Sequence, residues 1–345
     1  MTMLTDQVDV VIGVDTHKDT HTAAVVDRFG GVLDSFEFPA NQAGYRSALD
    51  RVGTAEGTRV WGVEGTGSYG AGLTVLLVAA GERVVEVERP QRLARRQGAK
   101  SDAIDAVRAA REVLGRDRQI EPRTRGEREA VRVLLATRNG AVVARTKALN
   151  HLQALVVTAP ERLRERLAGL STAELARRCA RLRVCPDRPV EEQATVRAMR
   201  ACARRALACG AEADELDTEL ETLLARCVPE LLAEPGVGPI SAAAIFLAWS
   251  HPGRFRNDAA FASLAGVAPV PASSGHTTRH RLSRGGDRQL NRALHTIVIS
   301  RMRYHDETRA YVERRTAEGK NPREIRRCLK RHLARRVYKL LERTP

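Results

Sequence analysis

The sequence predicts an α/β domain followed by a mainly helical region. Three observations predict this class. Residues 8 to about 115 alternate β-branched apolar runs with helical segments. Beyond them, strand signals give way to long stretches rich in Ala, Glu, Arg and Leu. The chain has 345 residues, 43% of them hydrophobic, enough for two or three domains with real cores.

Val8–Val14 is the first β-branched run. His21–Asp27 and Gly31–Phe38 follow, separated by Phe29-Gly30-Gly31, a good hairpin turn. Asn41–Val52 has helical character, and Arg59–Val63 is a fourth strand. Ser68–Ala80 is an apolar helix ended by Gly81, and Arg83–Val87 is a fifth strand. Ser101 is a candidate cap for a last helix, Asp102–Leu114. Three strands, helix, strand, helix, strand, helix is the order of a ribonuclease-H-like (RuvC-like) mixed sheet, opened by a meander and flanked by helices.

Gly126–Val157 reads as a long helix on Val131, Leu134, Leu135, Val142 and Val143. Pro160, Pro186 and Pro189 punctuate a break, after which Val190–Cys227 carries a stripe of Leu216, Leu220, Leu223 and Leu224. A helical hairpin or coiled coil and a simple packed helical domain both fit, because the apolar repeat is short. In Leu231–Trp249 a helix, a Pro-Gly-x-Gly turn and a second apolar helix make a helix-hairpin-helix candidate. Such a turn aims backbone N–H groups at a phosphate, and Gly236 and Gly238 would permit close approach. The alternative is an ordinary helix turn. Residues 266–286 form a loop rich in Gly, Ser and Pro, and the remainder is basic helix. The expected division is 1–124, 125–229 and 230–345.

The formal net charge is +15 and the pI about 10.3. From His276 to Pro345 there are 20 Lys+Arg against 7 Asp+Glu, so nearly all the excess lies in the last fifth of the chain. A nucleic-acid partner and a solvated basic tail both account for it. The six cysteines form no C-x2-C pair, which argues against zinc and for small buried residues in a reducing compartment. No secretory signal and no run of 18 apolar residues is seen, so a cytoplasmic protein without membrane contact is expected.

Asp15 ends the first strand and Glu64 the fourth, and strand ends of a mixed sheet meet at one edge. Asp102 and Asp105, at i and i+3, share a helix face. Four converging carboxylates repel one another unless cations bind, and two Mg²⁺ ions would turn the conflict into a phosphoryl-transfer site. Each carboxylate alone is more often a turn or cap residue; the set in fold order favours metal. His17 and His21 lie near Asp15, but alternating hairpin positions account for them, and both stay outside the expected site.

VIGVDTHKDTHTAAVVD, GVEGTGSYG and AKSDAIDAVRAAR resemble the N-terminal domain of DEDD-type insertion-sequence transposases, relatives of the Piv-type DNA invertases. FASLAGVAPVPASSGHTTRHRLSRGGDRQLNRAL resembles the second domain of that family. The similarity covers roughly 8–115 and 230–305, two motif blocks in the right order. It implies a serine nucleophile in a P-x(4)-S-G context, here Pro269 through Ser274-Gly275, with Ser273 as the neighbouring alternative. The hydroxyl would form a phosphoserine–DNA link, activated by the metal-bound Asp15, Glu64, Asp102 and Asp105. On the residues alone, Ser273-Ser274-Gly275 is a flexible loop. Arg279, Arg281, Arg284 and Arg288 would neutralise a scissile phosphate or hold the DNA backbone. Arg326, Arg327, Lys330, Arg331, Arg335 and Arg336 read as a basic helix face tracking phosphates. The resemblance also implies double-stranded DNA as donor and target, a structured guide RNA and a homo-oligomer, dimer or tetramer. Only 4% aromatic residues and no evident base-reading helix suit delegation of sequence choice to base pairing. Two rivals remain: a RuvC-like Holliday-junction endonuclease, which needs no serine, and a non-catalytic nucleic-acid-binding protein, which needs no carboxylate set.

Overall fold

The computed structural model describes residues 4–53, 57–87, 101–116, 119–271, 280–281, 283 and 285–343. Two compact units divide the chain, Met1–Thr124 and Arg125–Pro345. In the first, β1 (Val10–Thr16), β2 (Thr20–Asp27) and β3 (Val32–Pro39) form an antiparallel meander. Helix α1 (Gln42–Gly53) leads to β4 (Arg59–Glu64), and α2 (Ala71–Ala79) leads to β5 (Val84–Val87). β4 is parallel to β1 and β5 to β4, giving the order β3-β2-β1-β4-β5, and α3 (Asp102–Leu114) closes the unit. This is the mixed sheet expected of the ribonuclease-H-like class.

Strand alternation assigns the two faces. Val10, Ile12 and Val14 join Trp61, Val63, Tyr45, Leu73 and Leu77 in one core cluster. Val11, Val26, Val60 and Val85 face α3 through Ala109, Ala110 and Val113. The α3 face is built on two glycines at matching register, Gly13 and Gly62. A Cβ on Gly13 would lie 2.1 Å from the Ala106 carbonyl oxygen, and one on Gly62 would lie 2.6 Å from Val113 Cγ2. Only hydrogen at these positions lets α3 lie directly on the sheet.

Several boundaries differ from their sequence expectation, and two of the shifts have evident physical reasons. β1 runs past Val14 because Asp15 pairs with Thr22 and Thr16 with His21 of β2. α2 begins at Ala71 because 65–70 folds into a turn, with Ser68 N–H donating to Gly65 O at 2.8 Å and Gly70 N–H donating to the same oxygen at 3.1 Å. The turn between β2 and β3 is organised by Asp27, whose carboxylate accepts from Phe29 N–H (2.9 Å) and Gly31 N–H (2.8 Å).

The second unit begins with α4 (Glu127–Thr158), 32 residues and about 48 Å long. The break marked by prolines contains two short helices that the sequence reading lacked, α5 (Glu161–Leu167) and α6 (Thr172–Ala180). The second has a full capping box between Ser171 and Glu174. α7 (Val190–Cys227) then runs back along α4. Cys227 meets Glu127 at 3.3 Å, Arg138 meets Asp217 at 2.8 Å, and His151 meets Cys202 at 3.5 Å, so the pair is an antiparallel helical hairpin. Its one end packs with α5 and α6. Its other end shares a core with α8 (Pro229–Leu232), α9 (Pro239–Trp249), α10 (Asp258–Leu264), α11 (Arg288–Tyr304) and, after α12 (Asp306–Ala317), α13 (Pro322–Leu341). A short ladder of β6 (Val270–Pro271) and β7 (His280–Arg281) interrupts what reads as a loop. Among the described residues, no helix is long and apolar enough to cross a membrane.

Candidate functional site

In the first unit, sheet register brings the carboxylates together. Val11-x-Gly13-x-Asp15 on β1 and Val60-x-Gly62-x-Glu64 on β4 repeat one pattern, with Val11 opposite Val60 and Gly13 opposite Gly62. The same alternation that turns the valines and glycines toward α3 turns Asp15 and Glu64 toward its N-terminal end. The hydroxyl of Thr16 donates to Glu64 O at 2.9 Å and joins the two strand ends. Ser101 caps α3, accepting from Ile104 N–H at 3.3 Å, which places Asp102 and Asp105 in the first turn.

Asp15 is 7% exposed. Burial pushes its carboxyl above the ordinary value; the charges of Glu64, Asp105 and Asp102 push the same way, and His17 opposes them. Ligand atoms of Asp15, His17 and Asp102 all lie within 4.8 Å of one another. His17 Nδ1 is 3.8 Å from Asp15 Oδ2. Glu64 and Asp105 stand outside this tight group; the Asp105 carboxylate accepts from Arg108 at 3.0 Å. His21 is a core residue, stacked on Tyr45 with ring centroids 5.6 Å apart and edge-on to Phe38 at 5.5 Å.

In the second unit, Ser273, Ser274, Arg279 and Arg284 lie outside the described residues. Arg281 and Arg288 are exposed, the first on β7 and the second at the start of α11. The segment before the Pro-Gly-x-Gly turn is a single helical turn, α8. Gly236, at φ +76°, backs onto α11: a Cβ there would lie 3.3 Å from Ile297 O and Ser300 Cβ. Gly238 precedes α9 with no atom near its Cβ position, and Pro239 takes the first helical position without an N–H to offer. Glu234 beside the turn is buried and holds Arg301 at 2.8 Å and Arg336 at 2.9 Å. Arg331 and Arg335 share Asp258, at 2.9 and 3.1 Å, and Arg327 lies 3.9 Å from Glu324. Lys330 is 8% exposed and donates to Asn291 Oδ1 at 3.1 Å. The basic row of α13 is thus partly turned inward.

Residues 12–159 match the DEDD domain of IS110-type elements, described as "Transposase", and residues 229–313 match the domain described as "Transposase IS116/IS110/IS902 family". The chain belongs to the DEDD-type IS110 transposase family. The transposase is 28% identical over 359 aligned positions to the uncharacterized 42 kDa protein of insertion element IS900 from Mycobacterium paratuberculosis, covering 89% of each chain. It is 38% identical over 94 residues to the uncharacterized 43.6 kDa protein of insertion element IS110 from Streptomyces coelicolor, covering 27% of this chain and 23% of that one.

The family makes the transposase a DNA-cutting and DNA-joining enzyme, with DNA as a partner, and its DEDD domain fits the use of a divalent metal. The donors present suit one: a buried carboxylate under repulsion from three others, with an imidazole nitrogen and the Asp102 carboxylate within ligand reach. Sequence reasoning set His17 aside. It also passed over Gly13 and Gly62, although the repeated V-x-G-x-acid pattern in VIGVD and VWGVE marks them. Glu234 was missed because nothing local to it announces its distant arginines.

Proposed function

We propose that this transposase exchanges DNA strands through a phosphoserine intermediate, with Asp15, Glu64, Asp102 and Asp105 holding Mg²⁺ and Ser274 as nucleophile. The observation that carries the metal half is the burial of Asp15 with Asp102 within ligand reach and Glu64 and Asp105 near by, a crowding that also raises the Asp15 carboxyl. Bound cations would remove that repulsion, activate the attacking oxygen and stabilise the leaving one. The serine half rests on the P-x(4)-S-G pattern within a matched transposase domain. Ser274 Oγ bonds to a phosphodiester phosphorus as its proton leaves; the P–O bond of the cut strand breaks, and the departing oxygen takes up a proton. A hydroxyl of the second strand then attacks the phosphoserine, and Ser274 is restored. Ser273 is the alternative nucleophile. A structured RNA from the element's flank guides target choice, and a homo-oligomer pairs the two DNA sites. Residues 125–229 act as the helical linker between the catalytic domain, 1–124, and the serine-bearing domain, 230–345. Gly236, Gly238, Arg279, Arg281, Arg284, Arg288, Arg327, Lys330 and Arg331 contact nucleic acid.

The test supplies the protein with Mg²⁺, DNA spanning the element's ends, a target and flanking RNA. A protein–DNA adduct that survives denaturation and disappears in Ser274→Ala is expected. Undiminished cleavage in that variant rejects the serine and leaves direct hydrolysis.

A further inference from the structure

A cavity of about 640 Å³ opens in the second unit between α13, the α12–α13 turn and the β6–β7 ladder. Among the described residues its wall carries Arg281, Arg315, Lys320, Arg327, Lys330 and Arg331, against one acid, Glu324. α13 lies beyond the last residue matched to either transposase domain.

Lys330 decides what the cavity suits. Its residues 325, 333, 334, 337 and 341 are the buried apolar row of α13, and Lys330 is buried with them. An apolar side chain would fit that row, yet an ammonium occupies it. Among the described residues its one hydrogen-bond partner is the neutral oxygen of Asn291, and it forms no ion pair. Asn291 is held the right way round for this, because its Nδ2 donates to Ala265 O at 2.7 Å. Arg326 adds like charge, and burial holds the Lys330 amine below its ordinary value. Two guanidinium nitrogens at the cavity, Arg331 Nη1 and Arg315 Nε, are buried without a hydrogen-bond partner among the described residues, while other nitrogens of these groups pair with Asp258 and Glu318. The buried Lys330 ammonium is thus uncompensated, which is unfavourable, and an anion seated beside it removes that cost.

We propose that this cavity is a phosphate pocket that seats one backbone phosphodiester of a DNA strand, with Lys330 as its inner cation and Arg327, Arg331 and Arg281 at its walls. The proposal rests on the strand-exchange reading above for the choice of DNA. The β6–β7 ladder supplies Arg281 to the wall, and its two strands bracket residues 272–279, the segment with Ser274, in the sequence. A phosphate held there therefore sits at the root of the proposed nucleophile's segment.

Lys330→Met is compared with Lys339→Met, an exposed lysine on the same helix. In the full-length protein, Lys330→Met is expected to weaken duplex DNA binding about tenfold beyond the control and to make the salt dependence of log K shallower by about one. Inorganic phosphate, against chloride at equal ionic strength, is expected to raise the Tm of the wild type and not of Lys330→Met. Without phosphate, the variant's Tm is expected to equal or exceed the wild type's. If Met does not fold, Lys330→Gln, which keeps a donor to Asn291, carries the same comparison. Equal DNA affinity in the Lys330 and Lys339 variants overturns the pocket, as does a loss confined to RNA. A missing Ser274 adduct with the Lys330 effect intact rejects the serine reading alone.

Discussion

At Asp15, burial and three neighbouring carboxylates act in the same direction. The folded protein holds the Asp15 proton more tightly than the unfolded chain does. The sign follows: above the folded pKa the ionised carboxylate opposes folding, and the penalty vanishes as pH falls below the unfolded value. Asp15→Asn removes the charge with nearly the same shape. In EDTA at neutral pH the variant is expected to melt above the wild type, with the gap closing as the solution is made acidic. Mg²⁺ is expected to raise the wild-type Tm and leave the variant unmoved. A variant that melts lower in EDTA, yet still gains from Mg²⁺, would remove Asp15 from the metal site. The position stood out in the sequence only through its company: a lone acid at a strand end is more often a turn or cap residue, and the four acids in fold order single it out. His17 was not legible as a site residue. An exposed histidine beside a strand end gains meaning only when Asp102, 85 positions on, arrives beside it.

Among the elements, α3 positions half of the carboxylate set, and its seat is Gly13. Gly13→Ala would drive a methyl into the Ala106 carbonyl and the Ala110 amide, with contacts of 2.1 and 2.4 Å. The helix must lift, at a cost of about 2 kcal/mol or more. Asp102 and Asp105 move with it, so weaker Mg²⁺ binding should accompany the lower Tm. Gly53→Ala, at the end of α1 with nothing within 4 Å, is the control and is expected to be neutral or slightly stabilising. An unchanged Tm and Mg²⁺ response in Gly13→Ala would contradict the close seat. Helix α3 itself was readable to the residue, because its cap, Ser101, is local. The hairpin of α4 and α7 was open in the sequence. Its sense depends on Arg138 finding Asp217, 79 residues away, which no local pattern encodes. The inward turn of Lys330 was hidden for the same reason: a basic run reads alike whether its face is solvated or packed.

For the whole molecule, the cores are separate. Among the described residues, each apolar cluster draws on one unit alone, two clusters in Met1–Thr124 and two in Arg125–Pro345. Separate cores predict that each unit unfolds in a transition of its own. Glu234 offers a handle on the second. It lies between α8 and α9 and holds Arg301 of α11 and Arg336 of α13, so it ties together helices distant in the chain. In the pair with Arg301 both side chains are at most 10% exposed, which makes this a buried bridge. Removing one partner of such a pair leaves an uncompensated buried charge and costs about 3 kcal/mol. Glu234→Gln should then lower one calorimetric transition by several degrees and leave the other in place, while Gly13→Ala lowers the other one. The Mg²⁺-induced shift belongs to the transition that Gly13→Ala moves, and the phosphate-induced shift to the one that Glu234→Gln moves. If both substitutions displace one common transition, the units fold as a single cooperative body, and the assignment of metal and phosphate to separately stable halves is wrong.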